Sequence, residues 1–108
     1  MPDIELVRHQ AYFFCGYCVG AEHVPLIETY VYLGTASEVL GGPAGEKVEH
    51  MFQDAECYYQ QQRGELSANA SPEDRGMVLV ANDLIDPMVQ DYDGLLAFIA
   101  ECKKDARQ

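Results

Sequence analysis

The sequence predicts one α+β domain over residues 1–108, a mainly antiparallel sheet with two helices packed on one face. Three observations lead to this class. Runs rich in Val, Ile, Tyr and Phe recur through the first half and again near residue 80, the composition of half-buried strands. The segment 92–104 has helical apolar spacing and charges suited to both helix ends. The order strands, helix, strand, helix lacks the regular alternation of a parallel sheet. The hydrophobic fraction, 48%, supplies one core in a chain of this length.

In chain order, 4–17 reads as strand with a break near Gln10, and Tyr12-Phe13-Phe14-Cys15 is apolar on both sides, as in a central strand. Gly16, Gly20 and His23-Val24-Pro25 read as turn material. The segment 27–33 alternates cleanly. Ile27, Thr29, Val31 and Leu33 form a core face, and Glu28, Tyr30 and Tyr32 an acidic and aromatic opposite face. That second face lies either under a helix or open to solvent.

Thr35-Ala36-Ser37-Glu38 has the form of a capping box, and Gly41-Gly42-Pro43 would end any helix within a turn or so. A strand is expected over 47–52, then a helix over 55–63 capped by Asp54 and stopped by Gly64. Residues 67–76 read as an exposed loop and 77–81 as a buried strand. The stretch 82–90 contains Pro87 and reads as a loop or irregular strand. Asp91 caps the last helix, over 92–104. Leu95, Ile99 and Cys102, flanked by Leu96 and Phe98, form its packing stripe.

The net charge is −11, from 18 acidic and 7 basic residues. Lys and Arg are absent between Arg8 and Lys47, and again between Arg75 and Lys103, where Asp83, Asp86, Asp91 and Asp93 stand. A field of this sign repels phosphate backbones, so direct nucleic-acid binding is not expected, while a basic protein is attracted. The longest stretch without formal charge, 9–21, is too short to cross a bilayer. The acidic start, Met-Pro-Asp-Ile-Glu, lacks the basic region of a secretory leader. A cytoplasmic protein with no membrane partner is expected, its four cysteines as free thiols.

Catalytic motifs do not assemble, and an enzyme is not expected. Cys15-Gly16-Tyr17-Cys18 resembles the active-site tetrapeptide of thioredoxin-like oxidoreductases, glutaredoxins in particular. In that family such a pair follows a strand and opens a helix, whereas here the stretch that follows carries a glycine and a proline and makes a poor helix. On an extended segment, residues three apart face opposite sides. A thiol redox protein using Cys15 and Cys18 is the alternative function. For zinc, His9, His23, His50, Cys15, Cys18 and Cys57 offer one close-spaced pair where a structural site uses two. The aspartates from Asp83 onward miss a calcium loop, because Met88 falls where glycine is required and Gly94 where glutamate is. No cofactor or metal is expected.

What remains is surface chemistry: seven tyrosines among abundant carboxylates, the mixture of large anchors and charge that interfaces use. Small size, acidity and tyrosine content, together with Phe52-Gln53-Asp54-Ala55-Glu56 and the terminal strand, acidic loop and helix, resemble immunity proteins and antitoxins of bacterial toxin systems. That resemblance implies a protein that blocks a basic partner, a secreted toxin or nuclease, by covering its active site. A phage-type inhibitor mimicking nucleic-acid charge is its near neighbour. The expected contact residues are Asp83, Asp86, Asp91 and Asp93 first, then Glu28, Tyr30 and Tyr32. Self-association as a homodimer is compatible with this reading.

Overall fold

A computed structural model describes residues 4–42, 45, 47–66 and 70–106. Among these residues five strands form one sheet in the order β4-β3-β2-β1-β5, antiparallel at each junction. The strands are β1 (Ala11–Cys18), β2 (Ala21–Thr35), β3 (Glu49–Asp54), β4 (Met77–Ala81) and β5 (Val89–Gln90). The helices are α1 (Ala36–Leu40), α2 (Ala55–Gln62), α3 (Ile85–Met88), preceded by a 3-10 turn over Asn82–Leu84, and α4 (Tyr92–Ala106). The α+β class and antiparallel sheet are as the sequence predicts. Four helices stand where two were expected.

β1 and β2 form a long hairpin that turns at Val19-Gly20, with Gly20 at φ +80°, a left-handed value that glycine adopts without strain. Gly16 and His23-Val24-Pro25, expected as turn material, lie instead within β1 and the start of β2. β3 pairs with β2 only from Tyr30 to Thr35, so this part of β2 lies beyond β3 and Pro25 interrupts no ladder there. The break expected near Gln10 is present. His9 has φ +70°, and its N–H donates to the Tyr32 carbonyl at 2.6 Å. A bulge between Tyr32 and Gly34 lets the Arg8 Nε donate to the Leu33 carbonyl. A Cβ on Gly34 would lie 2.9 Å from that Nε.

Alternation along the strands sends side chains to both faces, and both are covered. On one face Tyr12, Tyr32, Phe52, Val80 and Val89 close around Ile85 of α3, which is fully buried. On the other, Phe13 meets Tyr92 and Tyr17 meets Phe98 of α4, with ring centroids 5.0 Å and 5.5 Å apart. The expected single helical face is therefore corrected: α3 and α4 lie on opposite faces. The sequence concealed α3 because four residues are too few to show a helical period. Pro87 fits α3 because it falls within the first turn, where N–H groups have no intrahelical partner.

Caps behave as read. The Thr35 hydroxyl accepts from the Glu38 N–H, and Glu38 Oε1 accepts from the Thr35 N–H at 2.9 Å. Those bonds hold the Glu38 carboxyl below the usual carboxylate range. Asp54 Oδ2 accepts from the Cys57 N–H at 3.1 Å to start α2. α4 packs through Leu95, Phe98 and Cys102, while Leu96 and Ile99 are largely exposed. Ile99 thus departs from the expected stripe.

Candidate binding surface

The segment from Asn82 to Val89 crosses one face of the sheet from the β4 edge to the β5 edge, and two buried residues fix which way it faces. Ile85 and Val89 are four apart, lie at 0% and 1% exposure, and anchor the segment in the core. The residues between them, Asp86, Pro87 and Met88, are exposed, as are Asp83, Asp91 and Asp93. So are three apolar side chains among them, Leu84 at 46%, Met88 at 39% and Tyr92 at 65%.

The approach to this segment is held by a buried polar chain. The Tyr32 hydroxyl lies 2.8 Å from His50 Nδ1, and His50 Nε2 lies 2.7 Å from Asn82 Oδ1. An amide oxygen only accepts, so Nε2 carries the hydrogen and Nδ1 accepts from the tyrosine. Asn82 opens the 3-10 turn, and the chain therefore ties Asp83 to the centre of the sheet.

Asp86 and Asp91 line one shallow cleft with Ile4, Val89 and Gln90. Asp91 also lines the neighbouring cleft beside Tyr92, Tyr59 and Glu5. Asp83 lines a different cleft, with Lys47, Val48 and Leu84. Asp91 Oδ1 accepts from the Gly94 N–H at 2.9 Å, the helix-capping use expected of it. The four aspartates thus occupy one outward-facing segment, with Asp86 and Asp91 sharing a cleft.

The second expected group divides. Glu28 is exposed on β2, and its Oε2 accepts from the Tyr30 hydroxyl at 3.0 Å. Tyr30 is half-buried against Phe14, with ring centroids 4.4 Å apart. Burial, followed by the Glu28 carboxylate, pushes its phenol up to about 12. Tyr32 is a core residue at 4% exposure and is corrected as a contact residue. Alternation placed Glu28, Tyr30 and Tyr32 on one face, but α3 and the amino-terminal segment cover only the part of that face around Tyr32.

Sequence reasoning missed Leu84 and Met88 as surface groups. The signal was the four-residue spacing of Ile85 and Val89, which turns the residues between them outward once the segment is read as a helical turn. The cysteines are unpaired thiols. Cys15 and Cys18 lie three apart on extended β1, and burial, then Cys102, pushes the Cys15 thiol up. An activated thiolate needs the opposite shift. Among the described residues, no three His, Cys, Asp or Glu side chains converge as a metal-binding group. No helix among them is long and apolar enough to cross a membrane. Compared with family models, curated proteins and solved structures, the chain matches none.

Proposed function

We propose that this chain is an acidic binding protein that inhibits a basic partner protein by covering it, in the manner of a toxin-neutralising immunity protein. One observation supports this reading most. Asp83, Asp86, Asp91 and Asp93 alternate with exposed Leu84, Met88 and Tyr92 on a segment that Ile85 and Val89 hold to the core. Apolar anchors supply desolvated contact area, and the carboxylates between them select lysine and arginine on the partner. The net charge of −11 adds long-range attraction that accelerates encounter.

Such a segment is suited to docking because it has little freedom left to lose. Its buried anchors and the Tyr32–His50–Asn82 chain fix its backbone before any partner arrives, which lowers the entropic cost of association. The test uses basic bacterial nuclease toxins, with nuclease activity as readout. The chain is expected to inhibit one of them stoichiometrically. The double reversal Asp83→Lys/Asp86→Lys, which leaves the α4 cap intact, is expected to weaken inhibition tenfold or more, equivalent to about 1.4 kcal/mol. Undiminished inhibition by that variant would place the contact surface elsewhere.

A further inference from the structure

β4 is the outer strand of the sheet, beyond β3. Its pairing with β3 runs without a register shift. The Asp54 N–H donates to the Gly76 carbonyl at one end, and the Asn82 N–H to the Val48 carbonyl at the other. In an antiparallel ladder this fixes the intervening phase. The backbones of Val78 and Val80 face β3, while those of Met77, Leu79 and Ala81 face away. The Met77 N–H is taken by the Pro72 carbonyl at 2.9 Å. The Leu79 N–H and C=O, the Ala81 N–H and the Met77 C=O point away from β3 into the open edge, while the Ala81 C=O starts the 3-10 turn over Asn82–Leu84.

Proteins ordinarily protect such an edge with lysine, proline, a bulge or a short strand. β4 has none of these: Gly76-Met77-Val78-Leu79-Val80-Ala81-Asn82 carries no charge and no proline, and Leu79 is 48% exposed. The opposite edge, by contrast, is the two-residue β5, followed at once by Asp91.

We infer that β4 pairs antiparallel with β4 of a second copy of this chain, about a two-fold axis at Leu79. In that register the Leu79 N–H groups donate to each other's Leu79 carbonyls. Each Ala81 N–H donates to the Met77 carbonyl opposite. Every open donor and acceptor is matched, and the Ala81 carbonyl and Met77 N–H that face each other are both engaged within their own chain. The exposed Leu79 side chains meet on the axis. A second copy fits this edge because its open groups are self-complementary: the occupied Met77 N–H falls opposite the occupied Ala81 C=O, and each open donor falls opposite an open acceptor.

Light scattering on the intact chain is expected to give twice the 12.1 kDa chain mass. Leu79→Lys sets two like charges on the axis and is expected to reduce the mass to 12.1 kDa with an unchanged far-UV circular dichroism spectrum. In an independent variant, Leu79→Cys, the paired Cα atoms stand ~5.5 Å apart, within disulfide reach. Mild oxidation should then give a covalent dimer that the native sequence does not form. A monomeric native chain, a dimer that survives Leu79→Lys, or a dimer in which Leu79→Cys does not cross-link would each overturn the inference. If Leu79→Lys fails to fold, the cross-link alone decides.

Discussion

Replacing Tyr32 with phenylalanine distinguishes a core tyrosine from a contact tyrosine. Tyr32 is 4% exposed, and its hydroxyl is the donor that satisfies His50 Nδ1 at 2.8 Å. His50 is itself buried, at 7% exposure, and its other nitrogen is committed to Asn82 Oδ1 at 2.7 Å. Tyr32→Phe keeps the ring contacts with Tyr12 and Phe52, so the loss is confined to one hydroxyl. A buried acceptor left without its donor costs about 1–3 kcal/mol. For a domain of this size each kcal/mol lowers Tm by roughly 4–8 °C. Urea unfolding followed by circular dichroism measures the change. His50→Phe introduced into the Tyr32→Phe background should cost less than it does alone, because the two residues share one bond. A loss below about 0.5 kcal/mol, the range of a neutral surface substitution, would refute the buried-chain reasoning. So would a weakened partner complex with unchanged stability.

Two further substitutions separate folding from binding. Asp91→Ala removes the cap on the Gly94 N–H and is expected to cost about 1 kcal/mol in urea unfolding, whereas Asp91→Asn keeps a capping oxygen and retains most of that stability. Both remove the charge, so both should weaken the complex with a basic partner, and a complex indifferent to Asp91→Asn would remove Asp91 from the contact surface. The Tyr30 phenol, pushed up to about 12 by burial and then by Glu28, favours the folded state while neutral. That contribution is complete below the unfolded tyrosine value of ~10 and is lost as pH rises from there through about 12. Glu28→Gln should move its phenolate absorbance titration to lower pH, and an unmoved titration would deny the Glu28 contribution.

Much of the framework was legible because local chemistry and tertiary context agree. Thr35 with Glu38, Asp54 and Asp91 each start the helix expected of them. The uncharged run at 77–81 is strand β4, but it was expected as a buried strand and is instead the sheet's edge, with Val80 buried and Leu79 exposed. Context prevailed where several local choices were allowed. Gly20 and Pro25 would suit a loop equally well, and only the long hairpin with β1 makes the residues around Pro25 a strand. The alternation at 27–33 defined two faces without saying which would be covered. Val31 and Tyr32, on opposite faces, are both buried, and Ile27 and Thr29, expected in the core, are exposed toward the hairpin's free end. The aspartates were visible as residues, but their presentation depends on Ile85 and Val89, whose role requires the sheet beneath them.

The most direct test of the acidic surface is the affinity for a basic nuclease toxin that the chain inhibits, measured by calorimetry across a salt series for the native chain and for Asp83→Lys/Asp86→Lys. Native binding is expected to weaken as salt rises and exposed charges are screened. The variant is expected to bind tenfold or more weakly, equivalent to about 1.4 kcal/mol, with a shallower salt dependence. Equal affinity and equal salt dependence for the two proteins would contradict a binding surface built on these aspartates.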